Sequence, residues 1–142
     1  MISVTQQLSL ITLSIKDISR SRHFYGDGFG WTPVYESDEV LFYQMNGLVL
    51  GLWLSSAFSA DLQRPDGHSN GFAMAHNVAS PEAVDSLLAR LAAHGGALLR
   101  PADAPPHGGR RGYIADPDGH AWEIAFNPAW TIDAKGHVTF GV

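Results

Sequence analysis

The chain has no cysteine among its 142 residues, which excludes disulfides, thiolate nucleophiles and Cys-ligated zinc or iron–sulfur centres. Any metal would need His, Asp or Glu. Basic residues are scarce: 9 Lys and Arg stand against 14 Asp and Glu, for a net charge of −5. The one basic pair near a loop is Arg110-Arg111, too little to track a phosphate backbone, so nucleic acid is not an expected partner. No apolar run approaches the ~20 residues of a membrane span. The opening MISVTQQLSLITLSI has no basic region ahead of an apolar stretch with a small-residue cleavage site. No membrane partner is expected, and the expected location is the cytoplasm. The seven histidines form no HxH or HxxxH pair, so the commonest local metal signatures are missing as well.

What is present is ordinary for one folded domain: 45% apolar residues and 16% charged. Internal repetition organises it. LSLITLSI reads as a strand, Asp17 as an N-cap, and a helix follows through Phe24 and Tyr25 until Gly26 or Gly28. WTPVYES comes next, then EVLFYQMNGLVLGLWL, two alternating runs around the turn signal Asn46-Gly47. The stretch SSAFSADLQRPDGHSN, residues 55 to 70, is polar and lacks a sustained period, so it reads as a linker. After it, GFAMAHNV is a strand, and Ser80-Pro81-Glu82 supplies a cap, a first-turn proline and an acid. Val84, Leu87, Leu88 and Leu91 then follow at helical spacing until Gly95-Gly96. ALLRPA, the turn-rich DAPPHGGRR and a second hairpin around DPDG complete the half.

Each half is therefore βαβββ. The implied organisation is one domain: module one over about 8–55, a linker over about 56–70, module two over about 71–127 and a C-terminal tail over 128–142. The halves register at their helix caps, Asp17 and Ser80, and at their turn glycines, Gly47 and Gly119. The second half is the longer between those landmarks, and DAPPHGGRR is the natural place for the excess. An irregular insertion beside a repeated scaffold suits a site rim.

With LITLSIKDISRSRHFYGDGFGW as opening strand, Asp cap and helix, and GYIADPDGHAWEIAFNP as closing hairpin, the sequence resembles the vicinal oxygen chelate superfamily. That group includes glyoxalase I, extradiol dioxygenases, fosfomycin-resistance transferases and bleomycin-resistance proteins. The resemblance implies an α+β fold in which two βαβββ modules form a curled mixed sheet, with helices on the convex side and a ligand cleft on the concave one. It also implies a homodimer, and a divalent metal held by one position on the first and last strand of each module. Carried onto this chain, those positions are Leu10, Gly51, Ala73 and Glu123. Only Glu123 has a donor, and a catalytic ion ordinarily needs about three protein ligands. No cofactor is expected on this reading; a divalent metal is the alternative, with His76 as the one further candidate ligand because a register slip would exchange strand faces.

Alternation of side chains then assigns the concave face: Leu10, Thr12, Ser14, Val49, Gly51, Trp53, Ala73, Ala75, Asn77, Ala121, Glu123 and Ala125. Most are small, which leaves room for a partly apolar guest against Trp53. His76 takes the opposite parity and reads as a core histidine, and His120 is expected to point away. DPDG reads as an ordinary turn. Glu123 is the anomaly, a carboxylate inside an apolar strand that must be paired, hydrated or neutralised. Either it is bonded to Arg110, Arg111 or a polar strand neighbour, or it meets a donor or cation on a ligand; the loop 103–111 is expected to border the cleft, with an arginine available to Glu123 or to an anionic ligand group. Three readings follow: a metal-free small-molecule binding protein of the bleomycin-resistance type, a metal-dependent lyase, isomerase or dioxygenase, or a metal-free enzyme using Glu123 as its catalytic base.

Overall fold

A computed structural model describes residues 3–65, 67 and 71–141; His68, read as a surface histidine of the linker, lies outside them. The first module contains β1 (Leu10–Ile15), α1 (Ile18–Arg22), β2 (Tyr35–Glu36), β3 (Val40–Gln44) and β4 (Val49–Leu54). The second contains β5 (Met74–Asn77), α3 (Pro81–Ala93), β6 (Ala97–Asp103), β7 (Arg110–Ala115) and β8 (Ala121–Phe126). Each forms a four-stranded mixed sheet, in the order β1-β4-β3-β2 and β5-β8-β7-β6. In both, the first strand runs parallel to the last and the other pairs are antiparallel. The two βαβββ modules expected from the repeat are the architecture.

The helices start where the caps require. The Asp17 side chain accepts from the Arg20 N–H, and the Ser80 hydroxyl accepts from the Ala83 N–H. Beyond Arg22 the first helix widens into a π-type turn over His23–Gly28, with Phe29 N–H bonded to the Phe24 carbonyl five residues back. That widening turns Phe24 and Tyr25 fully inward. Gly28 is needed there because α3 passes so close that a Cβ would lie 3.1 Å from Leu91 Cδ2.

The core is the helix-facing half of each alternation. Leu13, Ile15, Leu41, Tyr43, Leu50 and Leu52 from one sheet join Met74, Ile114, Trp122 and Ile124 from the other, beneath Phe24, Tyr25, Val84, Leu88 and Leu91. Each fully buried side chain of this size contributes roughly 1.5–3 kcal/mol of transfer free energy.

Two segments differ from the sequence reading. The stretch taken as an irregular linker opens with a third helix, α2 (Ser55–Leu62). Its apolar residues carry no clear helical stripe, so periodicity could not reveal it; Phe58 instead packs on Trp53, with ring centroids 5.7 Å apart. The tail forms a small hairpin from β9 (Thr131–Ile132) and β10 (Val138–Thr139), tied to the first module by an Asn46 Nδ2 bond to the Lys135 carbonyl at 3.0 Å. Among the described residues no helix is long and apolar enough to cross a membrane.

Candidate functional site

Strand register sets the candidate site. The β1–β4 ladder places Leu10 beside Val49, Thr12 beside Gly51 and Ser14 beside Trp53. The β5–β8 ladder places Ala75 beside Glu123 and Asn77 beside Ala125, with Ala121 on the same face. Ala73 precedes β5 and is exposed. The alternate residues of these strands are the buried core, so the parity inferred from sequence is the parity of the fold.

Glu123 is partly buried, with Ala75 beside it on β5 and Tyr113 opposite on β7. No described residue gives it a hydrogen bond or an ion pair. The arginines expected to neutralise it are engaged elsewhere. Arg110 takes the opposite parity and donates from Nε and Nη2 to the two Asp85 carboxylate oxygens on α3, at 2.7 and 2.9 Å; this hydrogen bonding holds the Asp85 carboxyl below its usual range. Arg110 therefore does not join the concave face. Arg111 does share it, opposite Ala125, but its guanidinium is bound to Asp103. The pairing between the 103–111 loop and Glu123 that the sequence suggested is not formed.

The donor set at the four metal positions does not fit a divalent ion. Leu10 and Ala73 offer no lone pair, and Gly51 is where the Phe42 ring lies: a Cβ built there would stand 3.1 Å from Phe42 Cε1 and 3.4 Å from Leu10 Cδ1. The space opened by the glycine is taken by an aromatic side chain. His76 cannot supply the missing donor to Glu123, because it sits on the helix side against Phe29 and Trp31, with ring centroids 5.7 and 6.1 Å away. Burial pushes its imidazole below the ordinary value. Among the described residues no three His, Asp or Glu side chains group to hold an ion.

The DPDG turn carries more than a turn's geometry. Asp116 is 2% exposed. One of its carboxylate oxygens accepts the Tyr25 hydroxyl at 2.7 Å, and the other accepts the Asp118 and His120 N–H groups, each at 2.9 Å. Trp122 Nε1 donates to the same Tyr25 hydroxyl at 3.1 Å. Burial raises the Asp116 pKa, and burial together with the Asp116 charge drives that of Tyr25 well above its ordinary value. Asp118 accepts the Lys16 N–H and the Arg20 guanidinium at 3.0 and 2.8 Å. His120, expected to point away, is bonded through Nε2 to the Ser14 carbonyl at 2.7 Å. The turn of module two thus grips the first strand of module one.

Two clefts flank this arrangement. The first, about 500 Å³, lies under α2 and is lined by Thr12, Ser14, Phe58, Leu62, Phe72 and His120. The concave face, expected to be bare of helices, is covered by α2 at this end. The second, about 520 Å³, lies at the end of β5 under the tail hairpin and includes Ala75 and Asn77. Glu123, Gly51 and Trp53 line neither.

Sequence reasoning missed Phe42 and Tyr113. Counting outward across the two hairpins would have found both, since they stand directly opposite Gly51 and Glu123. It had no comparable signal for Asp116, whose burial depends on a helix about ninety residues away in the chain.

Residues 7–124 match the family model for the glyoxalase/bleomycin resistance protein/dioxygenase superfamily. The chain belongs to that superfamily. A solved structure of a glyoxalase-related enzyme from Fulvimarina pelagi is 55% identical, with a TM-score of 0.95 over 97% of this chain and 100% of that one. More distant members share the fold: a glyoxalase/bleomycin resistance protein/dioxygenase family enzyme from Burkholderia phytofirmans, 20% identical with a TM-score of 0.71 over 83% of this chain and 96% of that one. A lactoylglutathione lyase from Agrobacterium tumefaciens is 19% identical, with a TM-score of 0.67 over 88% of this chain and 96% of that one. This superfamily member keeps the paired modules, and the positions where the resemblance would put metal ligands hold Leu10, Gly51, Ala73 and Glu123.

Proposed function

We propose that the concave face binds a small amphipathic molecule without a metal held at the four superfamily positions, and that Glu123 receives a cation or hydrogen-bond donor of that ligand. The observation that carries this reading is the partly buried carboxylate left without a partner among the described residues while Arg110 and Arg111 are paired with other acids. A carboxylate held among Ala75, Ala121 and Tyr113 is predisposed to accept a donor from outside the chain.

The test is Glu123→Gln, nearly isosteric and lacking the charge. With no partner to strand, folding stability should change by less than ~0.5 kcal/mol. Affinity for a ligand identified by native mass spectrometry of the purified protein should fall by roughly 1.5–3 kcal/mol. A loss of about 3–5 kcal/mol in stability with affinity intact would instead mark Glu123 as half of a buried ion pair and defeat the proposal.

The description of the 55% identical relative as an enzyme favours a second reading, in which Glu123 takes a proton from the bound molecule. Glu123→Gln would then abolish turnover while binding persisted. In either reading we place the protein in the cytoplasm as a homodimer. Edge strands support the assembly: Tyr35 on β2 and Leu98 and Leu99 on β6 are half exposed at 55%, 50% and 56%, and such edges need covering.

A further inference from the structure

The two clefts are related by the internal repeat. Thr12, Leu13 and Ser14 line the first, and the corresponding first-strand residues Ala75, His76 and Asn77 line the second. Each is roofed by the segment that follows its module: α2 in one case, the β9–β10 hairpin in the other. The duplication has therefore made two pockets of similar size with different chemistry.

The second pocket is uncharged. None of its lining residues is Asp, Glu, Lys or Arg. Trp31, Met45, Ile132 and Val138 supply apolar walls. Thr32 and Asn77 can both donate and accept and the Tyr43 hydroxyl is enclosed, whereas two amides have their N–H sides spent and offer lone pairs. Asn46 spends its Nδ2 on the Lys135 carbonyl at 3.0 Å, and Gln44 spends its Nε2 on the Met45 carbonyl at 2.9 Å, which leaves both amide oxygens open. The side chains of His76 and Asn77 have no hydrogen-bond partner among the described residues. Desolvation lowers the His76 pKa and so favours the uncharged ring, in which one nitrogen accepts and the other donates.

We propose that this pocket, which meets the concave face at Ala75 and Asn77 but does not include Glu123, is a second binding site for a neutral flat molecule that carries N–H or O–H donors. A charged ligand would find no counter-ion, whereas a planar apolar body fits beside Trp31 and its donors meet His76, Asn46 or Gln44. The volume of about 520 Å³ admits a bicyclic or tricyclic ring system and lies within the usual range of small-molecule sites.

The experiment titrates the purified protein at pH 7 with three probes by calorimetry: 2-naphthol, 2-methoxynaphthalene and 2-naphthoate. We expect 2-naphthol to bind at least tenfold more tightly than the methyl ether, which lacks the donor, and than the carboxylate, which carries a charge. His76→Phe keeps the ring packing and removes the nitrogen; it should weaken 2-naphthol about tenfold. Val138→Trp fills the pocket from a residue that is 45% exposed, so the fold should tolerate it, and it should remove binding even if His76→Phe fails to fold. Equal affinities for the three probes, no 2-naphthol binding, or binding that survives Val138→Trp would overturn the proposal. Loss of 2-naphthol on Glu123→Gln with binding kept in Val138→Trp would assign the probe to the concave face and refute the second site while leaving the first reading intact.

Discussion

Replacing Tyr25 with Phe removes one oxygen from a fully buried ring and tests the polar joint between the modules. Two bonds go with it. Asp116 loses the 2.7 Å hydroxyl donor but keeps the two N–H groups of Asp118 and His120, a loss of roughly 1.5–3 kcal/mol for a hydrogen bond to a charged group. Trp122 Nε1, on a side chain 4% exposed, loses its acceptor, which costs about 1–3 kcal/mol for a stranded buried donor. Together they predict a destabilisation of about 3–5 kcal/mol at pH 7, read by urea denaturation. Tyr43→Phe is the internal comparison, because that buried hydroxyl has no hydrogen-bond partner among the described residues and its pKa is pushed up to about 12 chiefly by burial; its removal should be neutral or mildly stabilising. The Tyr25 deficit should also depend on pH. Burial raises the folded pKa of Asp116 above 3.8, and the Tyr25 hydroxyl opposes that rise, so the variant raises it further. A raised folded pKa contributes stability that is complete below pH 3.8 and lost as pH climbs through the folded value. The gap between Tyr25→Phe and the native protein should accordingly be narrower at pH 4 than at pH 7. A deficit no larger than that of Tyr43→Phe, or one unchanged between the two pH values, would refute the account.

Three further outcomes are expected. Nickel, zinc or manganese at micromolar concentration should move the thermal midpoint by less than ~1 °C, since a lone carboxylate gives no tight site; a shift of several degrees in differential scanning fluorimetry would contradict it. Sedimentation equilibrium at micromolar concentration should give twice the 15.3 kDa chain mass, and a monomer would count against the assembly. Gly112→Ala places a methyl 2.5 Å from Leu88 Cδ1 and 3.0 Å from the Arg100 carbonyl, so calorimetric unfolding should show a loss of about 1–3 kcal/mol from overpacking; an unchanged midpoint would mean α3 shifts freely on β7.

The legibility of this molecule followed the range of the interactions involved. Caps at Asp17 and Ser80, the turn at Asn46-Gly47 and the alternation through Glu123 are local devices, written within a few residues, and they disclosed the modules and which strand residues alternate with the core. Arg110 faces the helix side while its neighbour Arg111 faces the sheet's other side, and neither pairs with Glu123 because the acids that claim them, Asp85 and Asp103, lie on other elements. Helix α2 hid behind a mixed polar composition, since Phe58 finds its partner in Trp53 on the strand just before the helix rather than along its own face. Asp116 looked like a turn residue and is a buried acceptor, because its donor Tyr25 comes from the other half of the chain.

The stack of rings between the modules makes the protein report on its own assembly. Trp31 of the first half and Trp122 of the second stand 5.8 Å apart at 67°, with Tyr25 between the two halves at 6.1 Å from each. Indoles at that separation and tilt couple their electronic transitions, so the native state should carry an exciton signal in near-ultraviolet circular dichroism. That signal belongs to neither module alone. It would vanish when the halves part, even if each kept its strands and helix, and so would distinguish undocking from unfolding without any introduced label.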